Sequence, residues 1–242
     1  AAFLEMSEIF LREKNLDLAI KYAQKSINFN QKNFKGREVM AISHRLMGND
    51  SKARKELSIL LDHDPLHHFA NLEKATLSQS KQDCNTYFSL VQNEYANQVH
   101  LENAISYYNR GLSKDTYKLF EKLIENDRLD PISRIWYAFI SKNPELLKPV
   151  ESVSIDYCFP YRRETISALN WAVKENTHWK FSYLLALNLW AKDRNEEAWS
   201  LMSGLESKPN SMPFYLSRAT LGEVYGVKND VEKDLRQSLD LA

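Results

Sequence analysis

The 242-residue chain has few glycines, few prolines and almost no cysteine. Its 6 glycines and 7 prolines are too few for the many tight turns of a β-sheet protein. The 2 cysteines, Cys84 and Cys158, stand far apart and match no metal-binding spacing, so we interpret them as buried free thiols. Free thiols are typical of a reducing compartment such as the cytoplasm, although a removed signal or lipid anchor would leave the compartment open.

An excess of charge of one sign is also absent, since Lys+Arg and Asp+Glu both number 32. A surface that binds nucleic acid needs more Lys and Arg than this balance supplies, so we predict no nucleic-acid partner. No apolar run approaches the roughly 20 residues that cross a bilayer, and we therefore predict no membrane insertion. The chain is rich in Ala, Leu, Glu, Lys and Arg, which are strong helix formers, and this composition favours an all-α protein.

Small residues recur at a fixed distance along the chain. In segment 18–33, Ala19, Ala23 and Ser26 have the i, i+4, i+7 spacing of one helix face. The spacing returns 34 residues later, at Ala53, Leu57 and Leu60. A small residue such as Ala19 or Ala53 lets a second helix approach closely, so the pattern predicts repeated pairs of packed helices.

Three glycines support the same register. Gly48, Gly111 and Gly226 each stand five residues before a residue that corresponds to Ala19. We expect each glycine to take the positive φ that ends the first helix of a pair. The residues that correspond to Ala19 along the chain are Ala19, Ala53, Thr116, Thr165, Ala198 and Val231.

This pattern resembles the tetratricopeptide repeat (TPR), a family of 34-residue helix–turn–helix units. The resemblance covers nearly the whole chain and implies a right-handed superhelical α-solenoid of about six to seven helix pairs, with degenerate middle units. The order of the segments HDPLHHFA, ENAISYYNRGL and FPYRRETISALNWA is similar to that in bacterial proteins whose TPR region follows a β-rich domain of unknown function. That likeness implies a bacterial source and an upstream domain.

We expect residues 1–242 to form a single solenoid with an irregular insertion over 142–163. The insertion would join sub-arrays at about 1–141 and 164–242, because prolines stop regular helix within it. These prolines are Pro144, Pro149 and Pro160. Since the chain begins inside an amphipathic helix, it is expected to be a fragment of a longer protein.

The motif HDPLHH, residues 63–68, holds half of the 6 histidines. A metal-binding histidine pair needs one uninterrupted helical face, and Pro65 breaks the face between His63 and His67. We therefore interpret the motif as the end of one helix, a turn, and the start of the next helix at His68. A fortuitous zinc or nickel site is the alternative.

The motif FPYRR, residues 159–163, has two interpretations. Phe159, Tyr161, Arg162 and Arg163 would act as a loop hook for an acidic or carboxylate-bearing partner. Alternatively, the two aromatic side chains plug the joint between the sub-arrays, and the next helix begins at the two arginines. The plug is the favoured interpretation.

The resemblance also places a partner-binding surface on the concave face, which is lined by the first helix of each pair. In the repeat register, its residues are Glu38, Arg45, Leu101, Ile105, Tyr108, Asn109, Lys180, Tyr183, Leu187 and Trp190. Aromatic side chains mixed with amides and cations suit an extended peptide or a helix. Packing against neighbouring units is an equally good explanation of the same residues.

The sequence thus predicts a non-enzymatic scaffold that binds a protein, a peptide or a neighbouring domain of the same chain. No phosphate-binding glycine loop or nucleophile motif is present, so we predict no catalytic residues, cofactor or metal. Oligomerisation is compatible with this prediction. The alternative is an accessory domain that packs against, and shapes, an upstream carbohydrate-active domain.

Overall fold

The computed structural model describes residues 1–91, 95–125, 129–205, 209–226 and 228–242. Within these ranges the chain forms fifteen α-helices and one short 3₁₀ helix, with no β-strand. The all-α prediction is confirmed. None of the helices in the described ranges combines the length and the hydrophobicity that a bilayer crossing requires.

The helices are α1 (Ala2–Arg12), α2 (Leu16–Phe29), α3 (Phe34–Leu46), α4 (Asp50–His63), α5 (His68–Ser78), α6 (Lys81–Leu90), α7 (Ala96–Asn109), α8 (Ser113–Glu125), α9 (Pro131–Ser141), α10 (Lys148–Ser152), α11 (Thr165–Glu175), α12 (Trp179–Trp190), α13 (Asn195–Ser203), α14 (Met212–Tyr225) and α15 (Lys228–Asp240). The 3₁₀ helix covers Pro144–Leu147.

Consecutive helices pack as antiparallel pairs. At one end of the first pair, the rings of Phe3 in α1 and Phe29 in α2 lie 5.6 Å apart. Towards the other end, Phe10 stacks on Tyr22 at 5.3 Å, so the start of α1 meets the end of α2. Six pairs of described helices contact each other directly: α1/α2, α3/α4, α5/α6, α9/α11, α12/α13 and α14/α15. The seventh pair is α7/α8, in which Oγ1 of Thr116 donates to the carbonyl of Ala104 at 3.5 Å. This number agrees with the prediction of six to seven.

The small residues of the register lie where the helices approach each other. Ala19, Ala53, Thr116, Thr165 and Ala198 are all 1% exposed or less. In the last pair the corresponding residue is the larger Val231, which is half-buried and lies against Gly222 of α14. Close helix packing through small residues is therefore confirmed in five pairs, and in the last pair the glycine supplies the space.

The turns within the pairs agree with the glycine prediction only in part. Gly48 and Gly111 have φ of 74° and 70°, as predicted. Gly226 has φ of −94°, so the predicted positive φ is wrong there. A Cβ atom at Gly226 would lie 2.8 Å from the carbonyl oxygen of Gly222. Glycine is therefore needed at this position because a side chain would clash, and not because the backbone is left-handed. In two other pairs, Lys14 (φ 64°) and Asp193 (φ 58°) make the same left-handed turn without glycine.

Gly48 and Gly111 form a natural pair of test positions. Each Ala substitution should cost about 1–2 kcal/mol because both backbones are left-handed. A Cβ atom at Gly48 would meet nothing within 4 Å, whereas one at Gly111 would lie 3.2 Å from Cγ of Arg12. We therefore expect Gly111→Ala to lower the free energy of unfolding by about 1 kcal/mol more than Gly48→Ala in urea titrations. Equal losses would show that Arg12 does not restrict this turn.

The contacts of the chain divide it into two compact units, Ala1–Glu121 and Lys122–Ala242. The division falls inside α8 rather than at the insertion. Each unit contains its own buried apolar residues, such as Leu57 and Ala41 in the first unit and Trp136 and Phe181 in the second. The prediction of one continuous solenoid with a joint at 142–163 stays a prediction.

Candidate functional site

The HDPLHH motif separates two helices, as predicted. Helix α4 ends at His63, whose ring lies 5.5 Å from that of Phe34. The Nδ1 atom of His67 accepts a hydrogen bond from the backbone N–H of Ala70 and so caps α5, which begins at His68. In the part of the chain that the structure describes, no group of three or more His, Cys, Asp or Glu side chains could hold a metal ion.

Charged side chains from α1, α3, α5, the residue after α7 and the first turn of α8 form a network, which we call the inner network. Arg45 in α3 forms a two-point ion pair with Glu73 in α5, with N···O distances of 2.9 and 3.0 Å. Its remaining terminal nitrogen donates to Asp115 at 3.2 Å. Burial alone would lower the pKa of Arg45, but the carboxylates of Glu73 and Asp115 outweigh burial and raise it. The members are Glu8, Glu38, Arg45, Glu73, Arg110 and Asp115.

Arg110, which follows α7, is the other cation of the inner network. Its side chain is only 5% exposed and donates to Glu38 at 2.6 Å. It also reaches Glu8 in α1 at 3.4 Å, and its guanidinium lies 4.8 Å from the ring centroid of Phe69. A buried charge must be paired to be tolerated, and this arrangement pairs it with carboxylates from two other helices.

The predicted partner-binding residues of the first unit therefore differ in availability. Glu38 and Arg45 pair inside the inner network, and Ile105 is 0% exposed. Leu101 and Tyr108 are half-buried, and Asn109 is exposed. As a partner-binding surface this set stays a prediction.

In the second unit, Lys180 in α12 binds the insertion. Its Nζ donates to the backbone carbonyls of Glu151 at 2.8 Å, Val153 at 2.5 Å and Val150 at 3.3 Å. These carbonyls lie at the C-terminal end of α10, where a cation also complements the helix dipole. Burial lowers the pKa of Lys180, although the carboxylates of Asp156 and Glu151 oppose that effect.

The other predicted residues of α12 are also partly or wholly covered. Tyr183 is 4% exposed; its hydroxyl lies 3.1 Å from Oγ of Ser217 and its ring 5.4 Å from Phe214. Burial raises the pKa of Tyr183. Leu187 and Trp190 are half-buried, so they are the members of this set that keep some exposed surface.

The insertion over 142–163 is more regular than predicted. Pro144 and Pro149 lie in the first turns of the 3₁₀ helix and of α10, where a missing N–H costs nothing. The prediction that these prolines stop helix is therefore wrong. The buried side chains of the insertion are apolar: Leu147, Val150, Ile155 and Pro160. Together with Lys180 they hold the segment against the rest of the second unit.

The aromatic side chains of the insertion point outwards. Tyr157 is 91% exposed, Phe159 is 70% exposed and Tyr161 is 41% exposed. We call these three residues the aromatic row. The favoured interpretation, that Phe159 and Tyr161 plug a joint, is wrong, since buried Ile155 and Pro160 do the packing instead. Between 158 and 162 the backbone has no helix, turn or bend, so exposed and covered residues alternate.

The arginines of FPYRR differ from each other. The carbonyl of Arg162 accepts a hydrogen bond from the buried Asn188 at 3.1 Å, and its guanidinium reaches Glu164 at 3.4 Å. Arg163 is exposed beside the aromatic row. Tyr157 lies two residues before the FPYRR motif and is therefore not among the residues that the motif predicts. The alternation Y-C-F-P-Y over 157–161 is the signal that would have included it.

Cys84 and Cys158 form no disulfide with each other, as predicted, but both are only partly buried rather than buried. Burial, assisted by the carboxylates of Asp130 and Asp156, raises the pKa of Cys158 to about 12. Cys158 therefore stays protonated at neutral pH and is a poor nucleophile.

A scan against protein-family models finds no match, and a search of curated proteins finds none either. Among solved structures, the chain is similar to a tetratricopeptide repeat protein from Parabacteroides merdae, with 16% identity over 98% of this chain and 83% of that chain and a TM-score of 0.38. It is also similar to a chain of the APC/C hetero-tetramer Cut9–Hcn1, with 13% identity over 96% and 51% of the two chains and a TM-score of 0.34.

A third similar structure is the TPR2AB domain of yeast Sti1 in complex with pHSP90, with 14% identity over 99% of this chain and 89% of that chain and a TM-score of 0.28. At these TM-scores the whole-chain superpositions are loose. The tetratricopeptide-type fold is therefore assigned from the chain's own helix pairs, from their buried small residues and from the left-handed turns at Lys14, Gly48, Gly111 and Asp193.

Proposed function

We propose that this chain is a non-enzymatic protein-interaction module that binds its partner through the aromatic row and Arg163. The observation that carries the proposal is the exposure of three aromatic side chains at every second position: Tyr157 at 91%, Phe159 at 70% and Tyr161 at 41%. Exposed aromatic residues clustered with arginine are typical of the energetically dominant part of a protein interface. The partner would present an apolar surface flanked by carboxylates.

The way in which the segment is held supports this proposal. Lys180 binds three carbonyls at the end of α10, and Ile155 and Pro160 are buried on either side of Tyr157 and Phe159. A recognition segment fixed by the scaffold loses little conformational entropy when it binds. A cluster of exposed aromatic side chains on a folded surface is typical of a site that another molecule covers.

The charged residues of the predicted concave surface favour the aromatic row over that surface. Glu38, Arg45 and Lys180 are each bound to other parts of the same chain, and a partner would first have to displace those contacts. The packing of the chain against an upstream carbohydrate-active domain stays an untested alternative.

The proposal is tested by placing the photo-cross-linking residue p-benzoylphenylalanine at Phe159, in extracts of cells that make the protein. The matched control carries the same residue at Phe29, which is 83% exposed but lies in the first helix pair. We expect one discrete adduct from position 159 that position 29 does not give. Equal adducts at both positions would indicate nonspecific contact and contradict the proposal.

Once the cross-linked protein is identified, its affinity for the chain can be measured by calorimetry. Phe159→Ser should weaken binding by about 30-fold or more, the effect of losing one dominant interface residue. Phe29→Ser should leave the affinity unchanged. Because Phe159 is largely exposed, both variants should keep the helical circular dichroism of the parent chain, which separates lost binding from lost folding.

A further inference from the structure

The first and fourth helix pairs of residues 1–121 are joined at their turns. The Nε of Arg12, at the end of α1, donates to the carbonyl of Asn109 at 2.9 Å. The Nζ of Lys14, in the following turn, donates to the carbonyl of Gly111 at 2.8 Å. The partners are 97 positions apart in the sequence, so these contacts close the first unit upon itself.

The join is made by charged groups. Asn109 and Gly111 lie at the C-terminal end of α7, where backbone carbonyls lack helical partners and attract cations. Gly111 contributes by letting Arg12 approach, since a Cβ atom there would lie 3.2 Å from Arg12 Cγ. Close by, the buried Arg110 reaches Glu8 of α1 at 3.4 Å.

The inner network lies behind this join. Its members come from α1, α3, α5, the residue that follows α7 and the first turn of α8, so parts of four successive pairs converge on one another. As long as Arg12 and Lys14 hold the end of α7, Glu38 and Arg45 stay enclosed. The exposed position of Arg12 and Lys14 makes this outer contact accessible to salt, unlike the buried pair of Arg110 and Glu38.

We infer that Arg12 and Lys14 form an electrostatic latch that keeps residues 1–121 closed over the inner network and opens when the two cations are screened or removed. Opening separates the first pair from the fourth while the helices themselves persist. The latch regulates access to the first helices of this unit. It is independent of the aromatic row, which belongs to the second unit.

The latch is tested by pulsed electron paramagnetic resonance on the full chain, with spin labels at the exposed positions Lys21 in α2 and Lys118 in α8. Cys84 and Cys158 are first replaced by Ser so that only these positions are labelled. The test variant is Arg12→Gln with Lys14→Gln, which keeps both side-chain stems. Gln suits the left-handed position 14 because Gln79 already has φ of 52° in this chain.

We expect a single short distance in the parent chain and a second, longer distance in the variant. Loss of two hydrogen bonds of ordinary strength should lower the ratio of closed to open molecules by about 30-fold. The control Arg54→Gln with Lys55→Gln removes the same charge from exposed positions of α4 and should keep the parent distance. An unchanged distance in the latch variant would overturn the inference.

Salt supplies a test that needs no latch substitution. Raising the ionic strength from about 0.01 M to about 1 M shortens the Debye length from roughly 30 Å to roughly 3 Å, so the parent chain should then populate the longer distance as well. A single short distance at both ionic strengths would overturn the inference even if the double variant failed to fold. Circular dichroism shows whether the helices persist in each state.

Discussion

Replacement of Arg110 by Met should destabilise residues 1–121 by about 3–5 kcal/mol, because it leaves the buried carboxylate of Glu38 without its main partner. The two side chains are 5% and 10% exposed and lie 2.6 Å apart. The only other nitrogen donor placed beside Glu38 among the described ion pairs is Nε2 of His67, at 3.5 Å. The substitution also removes the guanidinium from the face of Phe69.

Urea unfolding followed by circular dichroism, with hydrogen exchange to locate the loss in α3 and α7, measures this effect. The matched control is Arg194→Met, since the Arg194–Glu197 pair is 45% and 57% exposed and solvent screens its attraction, so its loss should leave the free energy of unfolding almost unchanged. A second variant, Arg110→Met with Glu38→Leu, should recover much of the loss by removing both charges. If the Arg110 and Arg194 variants were equally stable, the inner network would be energetically irrelevant.

Trp136→Ala should cost the second unit about 3–5 kcal/mol, the usual effect of emptying a buried tryptophan site. Trp136 is 0% exposed in α9, packs edge-on against Phe139 at 5.9 Å and donates its Nε1–H to Oγ1 of Thr165 in α11 at 3.1 Å. This contact matters because α9 and α11 belong to one pair although the insertion separates them in the sequence.

Two further variants separate the contributions at Trp136. Thr165→Val keeps the shape of the site and removes only the hydrogen bond, so we expect a loss of about 1–2 kcal/mol. Phe29→Ala removes an aromatic ring that is 83% exposed and should cost less than about 1 kcal/mol. Hydrogen exchange should show the Trp136→Ala loss in α9 and α11. A loss as small as that of Phe29→Ala would mean that Trp136 does not hold the pair together.

Local pattern was enough to predict the helix pairs. The spacing from Ala19 to Ala53 fixes which face of each helix packs, because a helix turns once every 3.6 residues whatever its neighbours are. Gly48 and Gly111 also reveal their turns, since glycine takes a positive φ without steric cost. Lys14 and Asp193 make the same left-handed turn, but a search for glycine does not find them, because neither residue type requires a positive φ.

The candidate site was predictable only in outline. The sequence drew attention to Phe159 and Tyr161, but their burial was predicted wrongly because an aromatic side chain can pack or protrude with equal ease at an irregular joint. The structure shows that Ile155 and Pro160 occupy the interior instead. Whether a loop residue is exposed depends on which of its neighbours fills the space in the core, and only the packed structure shows this.

The sequence by itself determined that this chain is made of paired helices, where several of their turns lie, and which small residues lie between them. Only the tertiary structure decided that the side chains of Glu38, Arg45, Arg110 and Lys180 are bound to other parts of the chain while the aromatic row is exposed to solvent. The physical reason is range. Helix formation and pairing depend on residues a few turns apart, whereas ion pairs such as Arg110–Glu38 join positions 72 residues apart and exist only after the pairs have packed.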